Sequence, residues 1–87
     1  MKVLMKSVDM ICLSSREGTI TPLKFRWRED GFEPKIIRID RIIDRKEEKL
    51  AGNPMLVFTV QSVIDGTERI FEMKYDIRKY KWYLYKL

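Results

Sequence analysis

Met55-Leu-Val-Phe-Thr-Val-Gln-Ser-Val-Ile64, then Asp65-Gly66, then Thr67-Glu-Arg-Ile-Phe-Glu-Met-Lys-Tyr75 is the stretch that decides the fold. The first run is β-branched and aromatic, a composition that packs well on a pleated surface. Asp-Gly closes two-residue hairpins because its glycine takes the positive φ that a tight turn demands. On the return run Phe71, Met73 and Tyr75 fall on one face and Glu72 and Lys74 on the other, the alternation of a half-buried strand. Leu56, Phe58 and Val60 supply the facing apolar set. The stretch therefore predicts an antiparallel hairpin with one face in a core.

Further turns appear on both sides of it. Arg16-Glu17-Gly18 follows an apolar run from Val8 to Leu13, and Glu29-Asp30-Gly31 follows Ile20 to Trp27. Lys81-Trp-Tyr-Leu-Tyr-Lys-Leu87 reads as a last strand, reached by a short loop through Asp76 to Lys79. Residues 35–50 read two ways, because Ile36, Ile39, Ile43 and Leu50 also line one side of a helical wheel. The isoleucine-rich run favours a strand over Lys35 to Ile43, followed by a charged loop or one short helical turn around residues 44–51. The expectation is one all-β domain over residues 1–87. It has about six antiparallel strands in a meander, curled into a small SH3-like or OB-like barrel.

Composition narrows the chemistry. At 87 residues, 45% hydrophobic and 36% charged, the chain can bury one core and reads as folded rather than disordered. Its single cysteine, Cys12, lies among Met10, Ile11 and Leu13 and reads as a buried structural thiol. Without a disulfide the expected compartment is the cytoplasm. Lys6 and Asp9 interrupt the apolar residues near the N-terminus, and no run approaches the roughly 20 apolar residues of a membrane helix, so neither a signal core nor a span is expected.

The absence of histidine removes the commonest general base and metal ligand, together with every Ser-His or Cys-His nucleophile. Asp40, Asp44, Glu47 and Glu48 cluster in sequence, but Arg38, Arg41, Arg45, Lys46 and Lys49 are interleaved with them. A self-neutralising solvated surface is the plainer reading than a magnesium or acid–base site. The glycines are isolated and build no phosphate-cradling loop. A non-catalytic protein without cofactor or metal is expected.

The net charge of +5 is unevenly placed: +4 over residues 1–28, −3 over 29–72 and +4 over 73–87. If the two ends of the chain lie side by side, they form a basic face. Within Leu23-Lys-Phe-Arg-Trp-Arg28, alternation sends Leu23, Phe25 and Trp27 to the core and Lys24, Arg26 and Arg28 to solvent. Such cations stand roughly 6.5–7 Å apart, near the spacing of successive phosphates on one nucleic-acid strand, and no acidic residue lies between Thr19 and Arg28 to offset them. By the same parity, burying Trp82 and Leu84 turns Tyr83 and Tyr85 outward beside Lys81, like the stacking residues of single-strand-binding barrels. The bland alternative is that tyrosines pair across ordinary strands and outward cations merely protect sheets from aggregation. Lys24, Arg26, Arg28, Lys81, Tyr83 and Tyr85 are thus the candidate site, with DNA or RNA as the expected partner. A second reading is a protein adapter that uses an exposed strand edge or the acidic middle segment.

Pro22-x-x-Phe25-x-Trp27, the run Ile36 to Ile43, Phe71-Glu72-x-x-Tyr75-Asp76 and Trp82-Tyr83-Leu84 resemble a recurring bacterial pattern over roughly residues 20–87. It is that of a family of small β domains of unknown function, some members of which are associated with the error-prone Y-family DNA polymerase machinery. The resemblance implies a shared small-barrel fold and a setting in DNA repair. It assigns no catalytic residue, and this sequence departs from it in Val3 to Leu13 and in the charged stretch Asp44 to Gly52.

Overall fold

In a computed structural model describing residues 1–87, the Asp65-Gly66 turn sits where the sequence places it, with φ of 50° and 78° at its two residues. It joins β5 (Asn53–Ile64) to β6 (Thr67–Asp76), which pair without a break from Ile64↔Thr67 to Met55↔Asp76. The other strands are β1 (Val3–Ser14), β2 (Ile20–Trp27), β3 (Lys35–Arg38), β4 (Arg41–Leu50) and β7 (Lys81–Lys86). They form one antiparallel sheet in the order β3-β2-β1-β7-β6-β5-β4. The turns at Arg16-Glu17-Gly18 and Glu29-Asp30-Gly31 are present, with both glycines at positive φ.

Residues 35–50 depart from expectation. The strand does not give way to a helical turn near residue 44; it bends at Ile39-Asp40 and resumes to Leu50, so seven strands stand where about six were expected. The bend lets one run serve both edges of the sheet. Ile39 N–H donates to the Leu23 carbonyl (2.8 Å) and Asp40 N–H to the Gln61 carbonyl (2.9 Å), which curls the sheet into a barrel-like shape. Pairing of β4 with β5 along its length satisfies the backbone better than an isolated helical turn would. The charges of β4 suit an edge strand, because they discourage further pairing.

Each end of the seam has a tie. Arg45 on β4 donates from Nη2 to the Ile20 carbonyl on β2 (2.6 Å), while its guanidinium lies over the Phe58 ring. Lys35 on β3 bonds Asp65 in the β5–β6 turn (2.7 Å).

The core takes Phe25, Trp27 and Ile37 from one side of the curl and Phe58, Val60, Phe71, Met73, Trp82 and Leu84 from the other. Phe25 meets Phe71 edge-on at 6.0 Å, and this contact joins the two sides. Leu23, expected in the core, is 43% exposed. The β1–β2 register slips there, pairing Ile11 with Lys24 but Cys12 with Pro22; Leu23 becomes the extra residue of a bulge and Pro22 is buried in its place. Cys12 is exposed rather than buried, because the end of the β1–β2 hairpin runs out past the core with Ile11 and Leu13 also in solvent. No helix is long and apolar enough to cross a membrane.

The chain ends do lie side by side. Lys2 and Leu87 exchange backbone hydrogen bonds of 2.8 and 3.0 Å, and β1 pairs with β7. The two basic ends of the sequence therefore meet.

Candidate binding groove

The groove originates in β1, which changes partner along its length. Val3 to Val8 pair with β7, and Asp9 to Ser14 pair with β2. At the changeover β7 is only beginning and β2 is ending, so the two neighbours splay apart. A groove of about 850 Å³ opens over Ser7 to Met10, walled by Arg26, Arg28 and Pro34 on one side and Tyr80, Lys81 and Trp82 on the other.

The parity expected of β2 holds at the positions that matter for this groove. Phe25 and Trp27 are buried, and Lys24, Arg26 and Arg28 are exposed. Arg26 is not free, however. Its Nε and Nη2 both donate to Oδ2 of Asp9, its register partner across the β1–β2 pair, with the Nε bond at 3.0 Å. The counterion comes from 17 residues earlier, where a local reading does not find it.

The six candidate residues do not form one cluster. Arg26, Arg28 and Lys81 converge on the groove. Lys24 lies one step away, in a smaller cleft of about 340 Å³ with Ile11 and Ile36, opposite Arg38 in the register. Tyr83 stays near Lys81, whose Nζ is 5.8 Å from its ring centre. Tyr85 belongs elsewhere, with Lys74 Nζ 3.8 Å and Lys86 Nζ 5.1 Å from its ring centre. Lys74 in turn pairs with Glu48 at 2.7 Å beside buried Met55 and Val57, a small packed layer on the outside of the sheet. Both tyrosines lie on the face opposite buried Trp82 and Leu84, as their parity requires, and are half-buried there.

Tyr80 has the exposure they lack. It is 79% exposed at the end of the turn between β6 and β7, between Lys79 and Lys81, with φ of 57°. A left-handed conformation is unfavourable for a residue with a Cβ. Asp76 holds it there. The Asp76 carboxylate accepts the backbone N–H groups of Arg78 and Lys79 at 3.1 Å each, and the Asp76 carbonyl accepts Tyr80 N–H at 2.9 Å. Burial pushes the Asp76 carboxyl up, but the Lys79 N–H, the Asn53 side chain, the Arg78 N–H and the Lys79 charge together outweigh it and hold it below the usual carboxylate range. The sequence did hold a signal for Tyr80, an aromatic ring among Arg78, Lys79 and Lys81 just before a strand.

Comparison with protein families, curated proteins and solved structures finds no match. The groove's chemistry must therefore be read from its own residues.

The acidic side chains of β4 are divided between its two faces. Asp44 and Glu48 share one face of β4 with Lys46, Glu47 lies on the other, and Glu48 is committed to Lys74. No group of three or more His, Cys, Asp and Glu side chains is placed to hold a metal ion.

Proposed function

We propose that this protein binds single-stranded nucleic acid, without strong sequence preference, in the groove where β1 changes partner. The observation that carries the reading is the exposed ring of Tyr80, on a turn whose backbone Asp76 holds, in one groove with the unpaired cations Arg28 and Lys81. A flat ring on a fixed turn offers a base a stacking surface, and the flanking cations meet the phosphates on either side. Lys24 and Arg38, opposed across β2 and β3 without a counterion, extend the positive face. Like charges directly opposite each other destabilise a sheet, so their juxtaposition favours a polyanionic partner. A single strand is preferred over a duplex because the chemistry is that of stacking, which needs unpaired bases. Small barrels of the OB type use a comparable strand surface flanked by loops.

Fluorescence anisotropy with single- and double-stranded oligonucleotides at two salt concentrations tests the proposal. Each phosphate neutralised contributes about 0.7 to the slope of log affinity against log salt on single strands. Tyr80→Ala is expected to cost about 1–3 kcal/mol of binding free energy with the salt slope unchanged, as loss of one stacked base does. Arg28→Ala with Lys81→Ala is expected to flatten the slope instead. Binding that survives all three substitutions unchanged rules out the groove.

A further inference from the structure

We infer that the strand held in the groove continues past Arg28 into a second basic cleft at the mouth of the barrel, so that the full site reaches along β1 from Met10 to Lys2. This rests on the function proposed above. The second cleft, about 300 Å³, is floored by Leu4, Trp27 and Leu87 and carries Lys2, Lys6, Arg28 and Arg69. Arg28 lines both clefts, and β1 runs beneath both, Ser7 to Met10 under the first and Leu4 to Lys6 beside the second. The two are therefore one continuous surface that turns around the end of β2.

Its charge is uncommitted. None of Lys2, Lys6, Arg28 and Arg69 takes part in an ion pair. The same cleft holds Glu29 and Asp30, also unpaired, on the loop after β2, which leaves two positive charges in excess. These cations come from the N-terminus, β1, the β2–β3 loop and β6, brought together where the chain ends meet and β1 has its bulge at Met5. Lys6 shows how the placement arises. The irregular register between Val3 and Lys6 sets it opposite Leu84, on the barrel's inner side, yet at the mouth, where it stays in solvent. A stretch from Leu4 to Met10 spans roughly 20 Å at strand rise, enough to follow several nucleotides of an extended strand. That falls at the short end of the roughly 4–16 nucleotides covered by single-strand-binding barrels.

The test is oligonucleotide length. Anisotropy is measured on labelled oligothymidylates of three and ten nucleotides with the full chain, with Lys6→Glu/Arg69→Glu and with the milder Lys6→Gln/Arg69→Gln, each checked for folding by circular dichroism. The expected result is a steeper salt slope for the ten-mer than for the three-mer in the unmodified protein. The charge-reversed variant should lose tenfold or more in affinity for the ten-mer and less than twofold for the three-mer, and the neutral variant should fall between. Equal losses at both lengths, or none at either, overturn the continuation while leaving the groove intact. Failure of the unmodified protein to bind either oligonucleotide overturns the groove reading and the continuation together.

Discussion

At the scale of single residues, this small protein holds several side chains in positions that stability alone would not select. Ser62 is fully buried between Val60 and Ile64 on the core face of β5, and its hydroxyl has no hydrogen-bond partner. Removing an unsatisfied buried hydroxyl relieves its desolvation cost, so Ser62→Ala is expected to stabilise by about 1 kcal/mol in urea unfolding. Tyr80 is a second case. Tyr80→Gly should relieve the left-handed conformation and stabilise by up to about 1 kcal/mol while weakening oligonucleotide binding. A glycine variant that binds as well as the parent would show that the ring is ornamental. Asp76 works in the opposite sense. Its folded pKa lies below the unfolded one, so the stability it contributes is complete above the ordinary carboxylate pKa of about 3.9 and is lost as pH falls through the depressed folded value. Asp76→Asn should lower the melting temperature at pH 7 and shrink the loss of stability on acidification below pH 4, read by thermal melts across that range.

At the scale of elements, the pairing of β5 with β6 was legible, although Lys74, read on the solvent side of β6, is buried against Glu48 and Tyr85. The hairpin's alternation, its Asp-Gly turn and its register all follow from neighbours in the chain. Gly66 has nothing within 4 Å of where a Cβ would sit, so the cost of Gly66→Ala comes from its φ of 78° alone, about 1 kcal/mol. Two elements were misread for want of information that lies elsewhere in the molecule. Leu23 obeyed its alternation only until the bulge opposite Cys12 intervened, and a bulge belongs to a pair of strands rather than to either one. The stretch 44–50 carries few apolar residues and gives little local reason to extend; its pairing with β5 supplies the reason. Arg45, read as part of a solvated surface, ties β4 to β2 instead. Arg45→Ala should cost about 1 kcal/mol, below the roughly 1.5–3 kcal/mol of a hydrogen bond to a charged group because the side chain is exposed, and Arg45→Lys should recover only part of it because an ammonium lacks the guanidinium fork.

At the scale of the whole molecule, sequence and tertiary structure divide the outcome between them. Alternation decided that the side chains of Phe25, Trp27, Phe71, Met73, Trp82 and Leu84 turn inward, since side-chain direction in a strand is a local property with a period of two. Charge counts along the chain showed that its two ends are basic, and pairing of β1 with β7 brings those ends together. Which cations share a surface was settled only by long-range pairing. The partner change of β1 opened the groove, drew Arg26, Arg28 and Lys81 to it and set Asp9 against Arg26, while Tyr85 sits farther along β7 against Lys74. Strand partners are chosen by the packing of residues far apart in the chain, and a groove between two elements exists only once that choice is made.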